Sequence, residues 1–252
     1  SKEFSSVVTA ASAMITPLIP PGIAMILYGC IADVSIGKLF MSGITVGGTL
    51  CIAMMILVHF ISKKRGYLPI RSHAMTGAEF WGHFRPAILP LCLPIIIIGG
   101  IRLGVFTATE AGAIAILYAI ILGLLYKELS LKGILQACKE TVCTTGGIML
   151  IVSAASVFSW VLTKERVPQQ LTEFIVSICP NKYAFLIAVN IFVLIVGMFI
   201  EGNASMIVLG PLLHPVAVAY GIDPVHFAMV YIFNCTIGAF TPPMGTLIFV
   251  TC

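Results

Sequence analysis

Two groups of oxygen-bearing residues, each beside a pair of prolines, could bind a hard monovalent cation. The first group comprises Ser12, Thr16, Pro17, Pro20, Pro21 and Gly22. The second group comprises Thr236, Gly238, Thr241, Pro242, Pro243 and Gly245. A proline lacks the N–H and its ring clashes with the carbonyl one turn back, so each pair breaks a helix and frees backbone oxygens. Freed carbonyls and nearby hydroxyls bind the coupling ions at the broken helices of secondary transporters.

The two breaks therefore predict an ion site, with Ser12, Thr16, Thr236, Gly238 and Thr241 as candidate ligands. The positive ends of the half-helices beside the breaks would face an anionic substrate. The alternative is that each hydroxyl bonds back to the preceding turn and only relieves the proline defect. We favour the ion site, because matched defects in two halves of one chain point to a binding site rather than to packing.

A third group, Gly202, Asn203 and Ser205, follows Glu201 between two apolar stretches. An ionisable residue at membrane depth is costly and indicates function by default. Gly202 permits a tight turn beside the amide and hydroxyl oxygens. We predict that this group forms the tip of a helical hairpin, at about residues 200–220, that faces the second break and adds ligands to the ion site. The alternative is that Glu201 marks the end of a span at the membrane surface.

A fourth cluster, Thr107 to Glu110, has a structural explanation. A threonine three residues before a glutamate, at the start of an apolar stretch, is typical of a helix N-terminus. The glutamate also interacts favourably with the helix dipole. We therefore predict a helix cap here rather than a binding site.

The elements that must position these residues are apolar helices of membrane-spanning length. Hydrophobic residues make up 59% of the 252 residues and charged residues 10%, with a mean hydropathy of +1.08, whereas a soluble domain carries about 25% charged residues. Stretches near the length needed to cross a bilayer are 43–62, 87–100, 111–126, 143–162 and 183–200. Broken segments at about 5–28 and 226–250 complete the set, and residues 204–220 are too interrupted for a simple span. The predicted fold is an all-α polytopic membrane protein with inverted repeats, discontinuous helices and re-entrant helical hairpins.

The organisation predicted from these elements has three parts. Residues 1–62 hold the end of a first repeat, residues 63–86 a cytoplasmic or interfacial connector, and residues 87–252 a second repeat. Basic clusters at Lys63–Arg65 and Lys127–Lys139 place both loops in the cytoplasm. The second broken segment runs opposite to the first only if Lys164–Lys182 supplies a crossing or a deep re-entrant arm.

Other function classes find little support. A net charge of +4 in loops indicates no nucleic-acid partner. The eight cysteines form no CxxC pair and the five histidines no HExxH motif. With no phosphate-binding loop or nucleophile elbow either, we expect no enzyme and no organic cofactor.

Three stretches in order resemble the large membrane subunit of tripartite ATP-independent periplasmic (TRAP) transporters, the DctM-like family of the ion-transporter superfamily. They are Thr9–Ile23, Gly104–Ala111 and Gly238–Gly245. The resemblance covers essentially the whole chain. One departure is Ala108, where the family has proline in its Thr-Pro-Thr-Glu motif.

The resemblance implies a bacterial inner-membrane protein that uses a sodium gradient, with Na⁺ as coupling ion, to import organic acid anions such as C4-dicarboxylates or sialic acid. A small membrane subunit and a periplasmic substrate-binding protein would be its partners, and the core would move as an elevator. Ser12 and Thr16–Pro20 would form the first broken helix, and Gly202, Asn203 and Ser205 would face the second. The family's first hairpin would precede Ser1, so we expect a piece of a larger protein. The alternatives are a stand-alone sodium/carboxylate symporter, or a non-transporting scaffold or intramembrane enzyme.

Overall fold

Helices make up the architecture of the chain. The computed structural model describes residues 2–67 and 76–241, and side chains within these ranges from Phe4 onward. No β-strand occurs within these ranges. The helices are α1 (Lys2–Ala13), α2 (Ile23–Ala32), α3 (Ile36–Lys64), α4 (Gly77–Arg102), α5 (Ala108–Leu125), α6 (Leu131–Lys164), α7 (Val167–Ile178), α8 (Lys182–Gly197), α9 (Gly202–Ala219) and α10 (Pro224–Gly238).

Six helical segments among the described residues are long and apolar enough to cross a membrane. They are Phe4–Ala32, which contains α1 and α2, followed by α3, α4, α5, α6 and α9. The pair α7 and α8 is bent by 114° at a short break, so it is either a seventh, broken span or a re-entrant element. The prediction of an all-α polytopic membrane protein is therefore confirmed.

The first predicted helix break is present. Helix α1 ends at Ala13, a single 3-10 turn covers Thr16–Leu18, and α2 begins only at Ile23. The second predicted break follows α10, which ends at Gly238. The second half of that segment, beyond Thr241, lies outside the described residues.

Two helices begin earlier in the chain than the apolar stretches of the sequence indicated. Helix α4 begins at Gly77, inside the segment predicted as a connector, because Thr76 and Glu79 form a capping box that starts the helix early. The Thr76 N–H donates to the Glu79 carboxylate over 3.0 Å. Helix α6 begins at Leu131 rather than near residue 143, so much of the predicted basic loop is helical.

The hairpin prediction needs a similar correction. Residues 202–219 form one uninterrupted helix through Pro211 and Pro215, although the sequence predicted a segment too interrupted to span. Packed neighbours let a membrane helix tolerate proline, and the residues around Pro211 are buried against such neighbours. The hairpin instead consists of α8, a turn at residues 198–201, and α9. The predicted tip residues lie at this turn, but the first arm precedes the predicted range.

The helices belong to two compact units. One unit covers Met55–Thr144, and there α4 packs along α5. In it, Tyr126 Oη donates over 2.9 Å to the Pro86 carbonyl. That carbonyl has no helical donor, because position 90 is also a proline. Thr107 and Glu110 form a capping box at the start of α5, with Thr107 N–H donating to the carboxylate over 2.7 Å, so the predicted helix cap is confirmed.

The other unit covers Ser1–Met54 and Thr145–Cys252 and holds most of the buried core. Its centre is the packing of α10 against α8 and α9, and of α2 against α9. Large aromatic side chains fill this centre, among them Tyr28, Phe185, Phe227 and Tyr231. All the predicted site residues that the structure describes belong to this unit.

Candidate functional site: a cavity between the first helix break, the hairpin tip and α10

A cavity of about 480 Å³ lies where three of the predicted groups meet. Its wall comes from Pro17 of the 3-10 turn, Ala24 in the first turn of α2, the hairpin tip at residues 197–203, and Thr236 on α10. Residues far apart in the sequence, from both proposed repeats, thus surround one space. This volume lies within the range of small-molecule sites.

At the first break, two backbone carbonyls lose their helical donors. The carbonyls of Thr16 and Pro17 would accept from positions 20 and 21, and both of these are prolines without an N–H. The chain then folds back so tightly that a Cβ on Gly22 would lie 2.7 Å from the Pro17 oxygen. Only glycine fits at position 22. The break therefore presents carbonyl oxygens and keeps its shape by close backbone contact.

The 3-10 turn also packs against α3. A Cβ on Gly43 would lie 2.6 Å from the Leu18 carbonyl oxygen, and Leu18 itself is fully buried. Glycine at this position lets the turn approach the backbone of α3. This packing positions Pro17 at the cavity.

The hydroxyl of Ser12 bonds back to its own helix. Its Oγ donates to the Thr9 carbonyl over 2.8 Å, and the residue is exposed. Thr16 is also exposed. Of the first group, Pro17 is the member that lines the cavity.

At the hairpin tip, a carboxylate organises the turn. Glu201 accepts from the Ala204 N–H over 3.2 Å and from the Asn203 amide over 2.6 Å. Glu201 thereby caps the N-terminus of α9, and Glu201, Gly202 and Asn203 all line the cavity. Ser205 is placed differently, since it is buried and its Oγ lies 3.0 Å from Tyr231 Oη of α10.

At the second break, both predicted hydroxyls also bond back to the helix. Thr236 Oγ1 donates to the Ile232 carbonyl over 2.8 Å and Thr241 Oγ1 to the Ile237 carbonyl over 2.9 Å. A hydroxyl that donates in this way keeps its oxygen lone pairs, so the bond does not exclude a cation. Thr236 lines the cavity. The remaining predicted members, Pro242, Pro243 and Gly245, lie outside the described residues.

The hairpin tip and α10 touch at two glycines. A Cβ on Gly238 would lie 2.8 Å from the Gly197 Cα, and a Cβ on Gly197 would lie 3.2 Å from the Gly238 Cα. Small residues at a helix contact allow this close approach of backbones. Gly238 therefore acts in the structure as a contact point for the tip.

Sequence reasoning missed a set of polar contacts that join the helices around the cavity. Tyr28 Oη of α2 lies 3.1 Å from His214 Nδ1 of α9. Asn234 of α10 donates its amide to the Asn190 side-chain oxygen of α8. Asn190 was detectable as the one amide within the apolar stretch at residues 183–200. The Tyr28–His214 pair joins residues 186 apart in the sequence, and no local pattern indicates it.

The wall of the cavity combines one carboxylate, neutral polar groups and the N-termini of two helices. Glu201 is the charged side chain on the wall, and the other polar atoms are neutral oxygens and backbone groups. No group of three or more His, Cys, Asp or Glu side chains placed to hold a metal ion occurs in the described part of the chain. The N-terminal turns of α2 and α9 both reach the cavity, at Ala24 and at Gly202. Helix N-termini carry partial positive charge and orphan N–H donors.

A broken helix, a hairpin tip and the end of α10 surround one cavity, as expected for the core of a secondary transporter. The comparison with known families agrees, because the model of the DctM component of the tripartite ATP-independent periplasmic transporter matches residues 1–252. The chain belongs to the DctM family. Members of this family are transporter components rather than enzymes, and with at least six apolar spans among its described residues the chain is a multi-pass protein of the bacterial inner membrane.

Characterised relatives support the same assignment. The sialic acid TRAP transporter large permease protein SiaM of Vibrio cholerae is 43% identical over 249 residues, which are 98% of this chain and 58% of that protein. The sialic acid TRAP transporter permease protein SiaT of Haemophilus influenzae is 37% identical over 96% of this chain and 39% of its own length. The C4-dicarboxylate TRAP transporter large permease protein DctM of Pseudomonas aeruginosa is 35% identical, over 93% of this chain and 55% of its own. The chain thus spans between two fifths and three fifths of the length of these relatives.

Proposed function

We propose that this chain is the core of a sodium-coupled importer of organic acid anions, which works by an elevator movement. The observation that carries the proposal is the cavity at which the first break, the hairpin tip and α10 converge. Such a cavity offers unpaired oxygens for an ion and helix N-termini for an anion. Na⁺ and the organic anion are both cargo of the whole protein.

The anion would bind at the N-terminus of α2. This terminus has no side-chain cap, since Gly22 precedes it, whereas Glu201 already caps α9 with its own carboxylate. The first-turn N–H groups of α2 are therefore available to a substrate carboxylate, and the partial positive charge of the terminus favours it. Ala24, whose small side chain lines the cavity, leaves room for the approach. Repulsion from Glu201 would orient the rest of the anion away from the tip.

The sodium ion would bind to neutral oxygens. Candidates on the cavity wall are the Pro17 carbonyl, the Asn203 amide oxygen and the Thr236 hydroxyl. The other predicted ligands stay candidates, because a different position of the helices would bring them closer to the ion. They are Ser12, Thr16, Gly202, Ser205, Gly238 and Thr241. A sodium site of neutral oxygens gains net charge on binding and so assists the anion beside it.

The substrate class rests on the relatives. Those named above carry sialic acid and C4-dicarboxylate in their names, and another, from Oleidesulfovibrio alaskensis, is named for isethionate. All three are acids, so we propose an organic acid anion and place sialic acid first among the candidates, since SiaM is 43% identical. A small membrane subunit and a periplasmic binding protein would complete the transporter.

The test is uptake of labelled acids by the complete protein in proteoliposomes. The sodium gradient, the periplasmic binding protein and the small subunit are each omitted in turn. We expect each omission to abolish uptake. Uptake that needs sodium but ignores the binding protein would instead indicate a stand-alone symporter, and no uptake across a panel of acids would contradict the transport proposal.

The sodium ligands are tested by Thr236→Val. Loss of one neutral oxygen that contacts the charged ion costs about as much as loss of a hydrogen bond to a charged group, about 1.5–3 kcal/mol. The sodium concentration for half-maximal uptake should therefore rise at least about tenfold. Thr49→Val is the matched control, because Thr49 Oγ1 also donates to its own helix, over 2.8 Å, on an exposed face of α3. An equal effect of both substitutions would remove Thr236 from the ion site.

A further inference from the structure

A second cavity, of about 380 Å³, lies between α7, α8 and α9 and has no part in the proposed transport site. Helix α7 contributes Leu171 and Ile175 to its wall, α8 contributes Phe185 and Phe192, and α9 contributes Leu212. All three helices belong to one compact unit. The cavity lies beside α8 and α9, the two arms of the hairpin whose tip reaches the first cavity.

The chemistry of the wall excludes water and ions as occupants. Every lining side chain is aliphatic or aromatic except the Cys179 thiol, which is only a weak donor. A water molecule in a cavity needs two to four polar partners, and this wall does not provide them. The cavity is open on one side, since Ile178 and Phe192 of its wall are 62% and 46% exposed, and an apolar occupant would supply the dispersion contacts that this wall lacks. The fitting occupant is a hydrocarbon.

Hydrogen bonds and ring stacking hold the cavity open from one end. Tyr220 Oη, just after α9, donates to the carbonyls of Ile175 and Cys179 over 3.3 and 2.9 Å. The Ile175 carbonyl already accepts from the Cys179 N–H, so the tyrosine hydroxyl mainly satisfies the Cys179 carbonyl just after α7 and fixes the end of α7 to the end of α9. The Tyr220 ring stacks on Phe185 with centroids 4.9 Å apart. The cavity is therefore a built feature of the helix packing.

The surroundings indicate a membrane surface at the junction of α7 and α8. Phe174 of α7, which does not line the cavity, is 62% exposed, as expected for a side chain that faces lipid. Lys182 begins α8, and its ammonium lies 5.3 Å from the ring centroid of Tyr183. Basic and aromatic residues together are typical of the headgroup level of a bilayer. Lys182 stands three residues before Phe185 of the cavity wall, about 4.5 Å along the helix axis.

We propose that one acyl chain of a membrane phospholipid occupies this cavity, with its phosphate beside Lys182. The acyl chain fills the apolar space between α7 and the hairpin, and the ammonium of Lys182 attracts the anionic headgroup. The bound lipid then packs against both arms of the hairpin, α8 and α9. This site does not depend on the identity of the transported solute.

The experiment is photo-crosslinking of the complete permease in nanodiscs of phosphatidylethanolamine. The probe is phosphatidylglycerol with a diazirine on one acyl chain, and the products are mapped by peptide mass spectrometry. We expect crosslinks concentrated at least fivefold on residues 171–213 relative to the other lipid-facing helices. Crosslinks spread evenly over α3 to α6 would overturn the proposal, as would complete protection of this region by the small subunit.

Two variants sharpen the test. Ala188→Trp fills the cavity and should reduce crosslinking at residues 171–213 at least fivefold. Ile187→Trp is the matched control, since Ile187 is 61% exposed on the same helix and does not line the cavity. Lys182→Gln should lower crosslinking of phosphatidylglycerol but leave that of a diazirine phosphatidylethanolamine nearly unchanged. Equal labelling of the two tryptophan variants would also overturn the proposal. The wild-type map decides the question even if Ala188→Trp fails to fold.

Discussion

The contact between Gly238 and Gly197 makes a quantitative prediction about the hairpin tip. A methyl group added at position 238 would lie 2.8 and 2.9 Å from the Cα and carbonyl carbon of Gly197. Both of these are backbone atoms, which cannot rotate away as a side chain could. The tip must shift, and overpacking of this kind costs about 1–3 kcal/mol. Higher helix propensity of alanine returns at most about 1 kcal/mol, because Gly238 is the last residue of α10.

Gly238→Ala should therefore destabilise the protein by about 1–2 kcal/mol. For a chain of this size the midpoint of thermal unfolding should fall by about 2–4 °C per kcal/mol. Gly147→Ala is the matched control, because nothing lies within 4 Å of a Cβ at that position on α6. The control should unfold at the wild-type temperature or slightly above. Gly197→Ala, with its closest contact at 3.2 Å, should fall between the two.

The assay combines thermal unfolding of the purified complete protein with uptake in proteoliposomes. If the tip must seat on α10 for transport, a shift of 1–2 kcal/mol lowers the ratio of seated to unseated tips in Gly238→Ala about 5- to 30-fold, and uptake should fall with the seated fraction. Wild-type stability and uptake in Gly238→Ala would refute the reasoning, because the close backbone contact could then not be part of the working structure. The same loss in Gly147→Ala would show that the method detects any added methyl group.

Other contacts give three further predictions. Tyr231→Phe should lower the free energy of unfolding by about 0.5–1.5 kcal/mol, because it removes the hydroxyl that contacts both Ser205 Oγ and the Ser205 carbonyl. Ser205→Ala should cost less in the same unfolding assay, since the Tyr231 hydroxyl keeps its hydrogen bond to the carbonyl of residue 205. Asn190→Leu should cost about 1–3 kcal/mol by leaving the Asn234 amide without its partner. Adding Asn234→Leu should recover part of this loss. Strictly additive effects of the two substitutions in a double-mutant cycle would contradict the pairing. Thr107→Ala should cost about 1 kcal/mol through loss of the cap on α5, whereas Thr107→Ser should unfold like the wild type.

Local sequence rules predicted much of the fold, because membrane helices have long apolar stretches and their breaks and caps depend on a few residues. The break at residues 14–22 follows from the missing N–H groups of three prolines, and the cap at Thr107 follows from one side chain and one backbone donor. The same local rule failed at Pro211 and Pro215, where α9 continues. What differs there is spacing: Pro211 and Pro215 lie four residues apart on one face of α9, as do the three prolines inside α4, whereas Pro20 and Pro21 are adjacent and remove two successive N–H donors.

The geometry of the site was less predictable, because it depends on which helices pack together. The sequence indicated that Gly202 and Asn203 form a tip, and the structure places both on the cavity wall with Glu201. Ser205, only two residues further, turns instead toward Tyr231. A helix rotates by about 100° per residue, so neighbours in a motif reach different surroundings. Motif membership alone could not separate ligand candidates from packing residues.

The polar contacts that were missed constrain how the cavity can open. Tyr28 links α2 to His214 of α9, and Tyr231 of α10 contacts Ser205 of α9 as well as the Tyr28 ring, at 5.8 Å between centroids. Separating α9 from either neighbour would leave buried hydroxyls without partners, at about 1–3 kcal/mol for each. The tip meets α10 at Gly238 through backbone contact instead, and the side-chain hydrogen bonds of Glu201 and Asn203 lie within the tip itself. A movement that carries α2, α9 and α10 together therefore costs less than one that parts them, and small openings at the tip cost least.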